Sequence, residues 1–357
     1  MAKILIARLG ALGDILHALP AVTGIRAALP EATIGWLVEE QWTELLTAHS
    51  RKLIPDATSP EKPVVNLIHT VDTKRWRKRF LHSSTRHELR GALRRVREVG
   101  YDLAVDFQGS IKSALLASWS GVAALAGFKD PREPAARIFY SHRFPRAGEH
   151  VIEQNHALAS QAMKKVLSTS ELKLASPELP SDVAAEAWAQ AEIMRLGVAS
   201  FALVTPGAGW GAKQWPAERF GEVAKALARH NLKTLVNLAP GEETLGQAVV
   251  AASDGNAFSV SCSIGQLIAL TRRARIALGG DTGPLHLAAA LRVPVVGLFG
   301  PTDPGRTGPF SDKAIALRHP ESVTTFSHHR KPDQGLLQIG TAEVIGAARH
   351  LLGASHA

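Results

Sequence analysis

Cysteine is nearly missing from this 357-residue chain. Cys262 stands alone, which excludes an intrachain disulfide and fits a reducing compartment. Long apolar runs are missing too. No stretch of about 18 apolar residues occurs, so no helix is expected to span a bilayer. The opening Met1-Ala2-Lys3-Ile4-Leu5-Ile6-Ala7-Arg8 lacks the extended apolar core of a signal peptide. The familiar nucleotide fingerprints are incomplete: there is no Gly-Lys-Ser/Thr, and Gly10 and Gly13 lack the first glycine of the dinucleotide turn. Acids are in deficit, and the net charge of +9 favours an anionic partner: a nucleotide, a nucleic acid, a phosphorylated lipid or a membrane surface.

What is present is a repeated strand-turn-helix pattern. At this length two domains are the natural expectation. In the front half, Lys3 to Leu9, Ala32 to Val38, Val64 to Val71 and Tyr101 to Phe107 read as buried strands, with helices after Asp14, over Arg86 to Arg97, from Lys112, through Ile138 and Tyr140, and over His150 to Leu167. The rear half restarts with strands at Phe201 to Thr205, Thr234 to Leu238, Val260 to Cys262 and Ala274 to Leu278, and another from Val293. The reading is α/β: a domain over 1–170, a Ser- and Pro-rich linker over 171–184, a second domain over 185–340, and an amphipathic helix over 341–357 whose return to the first domain is left open.

Several turns at strand ends carry candidate chemistry. Gly279-Gly280-Asp281-Thr282-Gly283-Pro284 closes a strand and opens a helix; Thr282 suits an N-cap, Pro284 a first turn, and amides at such a start bind phosphate. A capped structural turn is the plain alternative. Gly207-Ala208-Gly209-Trp210-Gly211-Ala212-Lys213 offers small residues for close backbone approach and a lysine as a point charge. Glu242 and Glu243 follow a strand end, where an acid accepts from ribose hydroxyls or complements a helix start. Asp14 is either an N-terminal cap or a carboxylate facing a cleft, and His17 shares its helical face. Between Thr73 and Arg97 there are ten Lys or Arg against one acid, Glu88, with Trp76 and Phe80 interleaved. Such density around Lys74 to Arg79 calls for something anionic among the cations.

The chain resembles the family 9 glycosyltransferases, the lipopolysaccharide heptosyltransferases. The likeness is carried by Arg8-Leu9-Gly10-Ala11-Leu12-Gly13-Asp14, by Lys213-Gln214-Trp215-Pro216, by Gly280-Asp281-Thr282-Gly283-Pro284-Leu285-His286 and by Gly300-Pro301-Thr302-Asp303-Pro304, in order along nearly the whole chain. Arg75-Trp76-Arg77-Lys78, Asp106-Phe107-Gln108-Gly109 with Lys112, and Arg132-Glu133-Pro134 lean towards the members that add the first heptose. One departure is the Gly-Ala-Gly-Trp-Gly run before Lys213, where those members offer threonines to the phosphates.

The resemblance implies a GT-B fold, two Rossmann-like domains facing across a cleft. It also implies inverting, metal-independent transfer of L-glycero-D-manno-heptose from ADP-heptose to the Kdo of Kdo-lipid A, with no cofactor. Asp14 is then the base and Lys213 holds the leaving diphosphate. Gly209, Lys213, Glu242, Asp281, Thr282, Gly283 and His286 are the donor-binding set. Gly13, Arg75, Arg77, Lys78, Gln108, Lys112 and Arg132 are the acceptor-binding set. The enzyme is expected in the cytoplasm, peripherally on the inner membrane, with Trp76 and Phe80 helping to hold it there. Two further readings are weighed. One is a family 9 enzyme with another acceptor or sugar, such as a heptosyltransferase II. The other, a nucleic-acid-binding α/β protein, is remote because no recognition motif of that kind is present.

Overall fold

The computed structural model describes residues 1–48, 58–79, 82–325 and 331–354; Phe80 lies outside them. The chain divides into two units, Met1–Asp182 and Val183–Ala357. In the first, strands β1 (Lys3–Ala7), β2 (Thr33–Glu39), β3 (Leu67–Val71), β4 (Leu103–Asp106), β5 (Ala124–Phe128) and β6 (His142–Phe144) form one sheet in the order β3-β2-β1-β4-β5-β6. In the second, β7 (Phe201–Thr205), β8 (Lys233–Asn237), β9 (Ala257–Val260), β10 (Ile276–Gly280), β11 (Val295–Phe299) and β12 (Ala314–Arg318) run β12-β11-β10-β7-β8-β9. Every neighbouring pair is parallel. Numbered within its own unit, each sheet therefore has the same order, third-second-first-fourth-fifth-sixth, which is the doubly wound Rossmann topology.

The central strands are short apolar runs because helices cover both faces of a parallel sheet. All of Ile4-Leu5-Ile6-Ala7 and all of Phe201-Ala202-Leu203-Val204-Thr205 are buried. The strand order reverses between β1 and β4 in one unit and between β7 and β10 in the other. Ligands of such sheets bind at the carboxyl ends of strands flanking that reversal, so the loops after those four strands are where chemistry is to be sought.

Three strands are additions to the sequence reading. β5 and β6 occupy the region read as loop and helix, and Pro134–Phe139 is only a short 3-10 turn. β12 completes the second sheet. Most of the 171–184 linker is counted with the first unit, where Leu172 is buried and Ser181 N donates to Pro60 O at 2.9 Å. The C-terminal helix, Thr341–Ala354, is counted with the second unit. Val344, Ala348 and Leu351 enter the second unit's core beside Trp215, Phe220 and Leu227, since its apolar stripe matches the helix Ala217–Ala228.

Candidate active site

The candidate residues of the first unit all follow the carboxyl ends of its strands: Gly13 and Asp14 after β1, Arg75, Arg77 and Lys78 after β3, Gln108 and Lys112 after β4, Arg132 after β5. Gly13 and Asp14 sit in the first turn of helix Leu12–Ala28. Asp14 does cap its helix, with Oδ2 accepting from Ala11 N at 3.1 Å. Its other oxygen takes a salt bridge from Arg8 Nη2 at 2.7 Å. Arg8 is the buried partner (11% exposed side chain) and Asp14 the open one (42%). Arg8 Nη1 donates to Phe107 O at 2.9 Å, tying the base of this pair to the end of β4. Sequence reasoning quoted Arg8 but gave it no role, because its partners lie on other elements. His17 turns inward, edge-on to His150, and takes no part.

Gln108 bridges the two central loops, its Oε1 accepting from Leu9 N at 2.8 Å. Beneath it, Asp106 is fully buried. Burial pushes its carboxyl up, opposed by hydrogen bonds from Tyr140 Oη, the Gln108 and Gly109 amides and Ser113 Oγ. Asp106 is thus a brace for the loop. Lys112 Nζ donates to Thr73 Oγ1 at 2.6 Å and lies 3.4 Å from Glu39 Oε1. Glu39, buried at the end of β2, also accepts from Thr73 N at 3.3 Å and was missed in the sequence, where Glu39-Glu40 reads as an ordinary strand end. Helix Thr73–Lys78 exposes Arg75, Arg77 and Lys78, with Arg75 paired to Glu88. Trp76 is a correction: it is buried in the first unit's core, because the short helix packs one face on the sheet. Arg132 is exposed, on a turn clamped by Glu133, whose Oε2 accepts from Ile111 N at 2.8 Å.

In the second unit Gly209 and Lys213 follow β7, Glu242 follows β8, and Asp281, Thr282, Gly283 and His286 follow β10. Trp215 anchors the β7 loop: it is fully buried, edge-on to Phe220, and its Nε1 donates to Ile339 O at 3.0 Å. The loop then lies so close to β10 that a Cβ on Gly280 would stand 2.8 Å from Lys213 O. Here three candidates meet. Lys213 Nζ contacts Asp281 Oδ2 at 2.6 Å, and His286 Nε2 contacts Asp281 Oδ1 at 2.9 Å. Both members of the ion pair are covered, Lys213 to 14% and Asp281 to 7% exposure. Burial works to raise the Asp281 carboxyl, but His286 and the Lys213 ammonium more than offset it and hold it well below the usual carboxylate range. Lys213 also sits 4.6 Å from the centre of the Trp210 ring.

Glu242 lies against the same loop, so close to Gly207 that a Cβ there would meet Glu242 Oε1 at 1.9 Å; its Oε2 accepts from Ala239 N at 2.8 Å. Thr282 holds the N-cap position of helix Gly283–Ala290, as its sequence suggests. Its hydroxyl, however, turns back to Gly280 O at 3.3 Å and makes no capping bond, so the first amides are not covered by that side chain. Gly209 is exposed on the loop rim. Among the described residues no group of three or more His, Cys, Asp or Glu gathers as a metal requires.

Comparisons with known proteins point to one family. The family model described as glycosyltransferase family 9 (heptosyltransferase) matches residues 89–334. The chain is 31% identical over 319 residues to lipopolysaccharide heptosyltransferase 1 of Pseudomonas aeruginosa, covering 88% of this chain and 83% of that protein. It is 27% identical over 326 residues to lipopolysaccharide heptosyltransferase 1 of Escherichia coli K12, covering 89% and 94%. Among solved structures, that of E. coli heptosyltransferase WaaC with ADP superposes with a TM-score of 0.78 at 23% identity, over 98% of this chain and 99% of that one.

Proposed function

The chain belongs to glycosyltransferase family 9, the heptosyltransferases, with the GT-B fold of two Rossmann-like domains, and from that premise we propose that it moves L-glycero-D-manno-heptose from ADP-heptose to a Kdo hydroxyl of Kdo-lipid A in building the lipopolysaccharide inner core. The observation that carries the reading is the joining of Lys213, Asp281 and His286 beside the open start of helix Gly283–Ala290, at the strand reversal of the second sheet.

As the sugar leaves, charge grows on the ADP diphosphate. Lys213 and the amides at Thr282 and Gly283 hold it. Asp281 keeps Lys213 in place and does not itself face the phosphates; His286 fixes Asp281. Glu242 accepts from the ribose hydroxyls, and Gly209 lets the loop approach the diphosphate closely. With these groups in post, the reaction needs no divalent ion and no cofactor. In the first unit Asp14 takes the proton of the attacking hydroxyl as the new glycosidic bond forms opposite the breaking bond to diphosphate, so the anomeric centre inverts. Arg8 fixes the orientation of Asp14. Arg75, Arg77, Lys78, Lys112 and Arg132 answer the Kdo carboxylate and lipid phosphates, guanidinium forks suiting both. Gln108 and Gly13 shape the floor beside Asp14. The enzyme works at the cytoplasmic face of the inner membrane as a peripheral protein; among the described residues no helix is long and apolar enough to cross it.

The test is a donor and acceptor screen by mass spectrometry. ADP-heptose with Kdo-lipid A is expected to give a heptosylated product and ADP, unchanged by EDTA, while UDP- and GDP-sugars give none. Transfer only to an acceptor that already bears a heptose would assign heptosyltransferase II activity instead. Loss of turnover in EDTA, restored by a divalent ion, would overturn the metal-free mechanism.

A further inference from the structure

Trp76, one of the two aromatics of the expected membrane anchor, is buried, and the other, Phe80, lies outside the described residues; the first unit carries a second row of cations that the proposed transfer reaction does not use. Arg86, Arg90, Arg94 and Arg97 recur along helix Ser83–Val99 at spacings of four, four and three, which sets them on one strip, and all four are exposed, with Arg94 paired to Glu98 at 2.7 Å. The helix is fixed from its other side. Thr85, Ala92 and Val96 are buried, with Leu89 and Leu93 packed on the same core. Seventeen residues at about 1.5 Å each give the helix a length of roughly 25 Å. It starts close after the acceptor cations of Thr73–Lys78 and ends where Arg97 Nε donates to Trp119 O at 2.7 Å. Trp119 is 43% exposed at the end of helix Ile111–Trp119, an uncommon place for a large aromatic ring.

We propose that this strip, with Trp119 at its far end, is the face on which the protein lies against an anionic bilayer. The chemistry is that of a polybasic surface in the negative potential of anionic headgroups, with one indole at the level where apolar and polar phases meet. The strip holds no apolar stripe of its own, so the attachment is electrostatic, reversible and weakened by salt. Single-stranded nucleic acid suits the strip less well, because it calls for aromatic platforms interleaved among the cations and here one ring stands at one end. The inference rests on the acceptor being lipid-linked: a helix lying on the headgroups brings the neighbouring cations of Thr73–Lys78 to the sugar that projects from them.

The experiment compares the full chain with Arg86→Glu/Arg90→Glu and with Trp119→Ala, none of these residues being part of the donor or acceptor sets. Sedimentation with phosphatidylglycerol–phosphatidylcholine vesicles is expected to bring down the unaltered chain. Pure phosphatidylcholine vesicles should not, and about 0.5 M salt should release it. The double reversal should weaken partitioning at least about tenfold, and Trp119→Ala a few fold. Transfer to a soluble, deacylated Kdo acceptor should match the unaltered chain in both variants, showing that the fold and site are intact. Transfer to Kdo-lipid A in anionic vesicles should fall in step with binding. A double reversal that binds anionic vesicles as well as the unaltered chain overturns the proposal, as does tighter binding to an oligonucleotide than to vesicles at equal salt. Binding through the strip without heptose transfer to either acceptor would support the docking face and remove the functional reading.

Discussion

The two sheets share one strand order, and each sets a carboxylate against a covered cation at its strand reversal, but the carboxylate is open in one and covered in the other. In the first unit the cation is sunk and the acid open: Arg8 is 11% exposed, Asp14 42%. In the second both partners are sunk, Asp281 at 7% and Lys213 at 14%. An open carboxylate held at its back by a covered guanidinium can still meet an incoming hydroxyl. A covered carboxylate bound on both sides, by lysine and histidine, is occupied and can only orient. On the proposed function the same scaffold thus yields a proton acceptor in one half and a held cation in the other, and the difference lies in whether the carboxylate is left open.

The comparison breaks most sharply at Asp14. Asp14→Asn is expected to lower kcat by about 10²–10⁴-fold while leaving the KM for ADP-heptose within twofold and lowering the urea midpoint only slightly, as steady-state kinetics and denaturation would report. Lys213→Ala should reduce kcat/KM for ADP-heptose by about 10²–10³-fold and leave the acceptor KM near its original value; isothermal titration with ADP gives an independent reading. The third change sharpens the contrast through stability. Asp281→Asn should cost about 2–3 kcal/mol in urea unfolding near neutral pH, where Asp14→Asn, at the open end of its pair, should cost less, about 1 kcal/mol. The folded carboxyl of Asp281 is depressed, so its contribution is complete above the ordinary aspartate range near pH 4 and is lost as pH falls further, through the folded value. The gap between the unaltered chain and Asp281→Asn should therefore hold from neutrality to about pH 4 and close below it. The smallest effect is expected at Arg77, exposed on helix Thr73–Lys78. Arg77→Ala should raise the acceptor KM about fivefold with the donor KM untouched.

Much of this was readable in the sequence, for identifiable reasons. Central strands such as Phe201–Thr205 announce themselves because burial on both faces demands unbroken apolar runs. The edge strands β6 and β12 do not. β6 is three residues with an arginine in the middle, and none of the three residues of β6 or the five of β12 is fully covered. The glycine turns pointed to loops that do approach one another closely, as at Gly280 against Lys213 O, where there is no room for a side chain. What the sequence could not show is pairing across distance. Nothing local tells that Lys213 reaches an aspartate 68 positions later, or that Arg8 turns to Asp14 instead of solvent. Trp76 misled for the opposite reason: cations on both sides suggested exposure, while a helix of six residues needs one face to pack.

Neither sheet borrows a strand from the other, and the C-terminal helix stays with the second core. A join at Asp182 and Val183 interrupts no ladder. On the proposed function, a hybrid spliced there would inherit its choice of sugar acceptor from one parent and its grip on the nucleotide from the other.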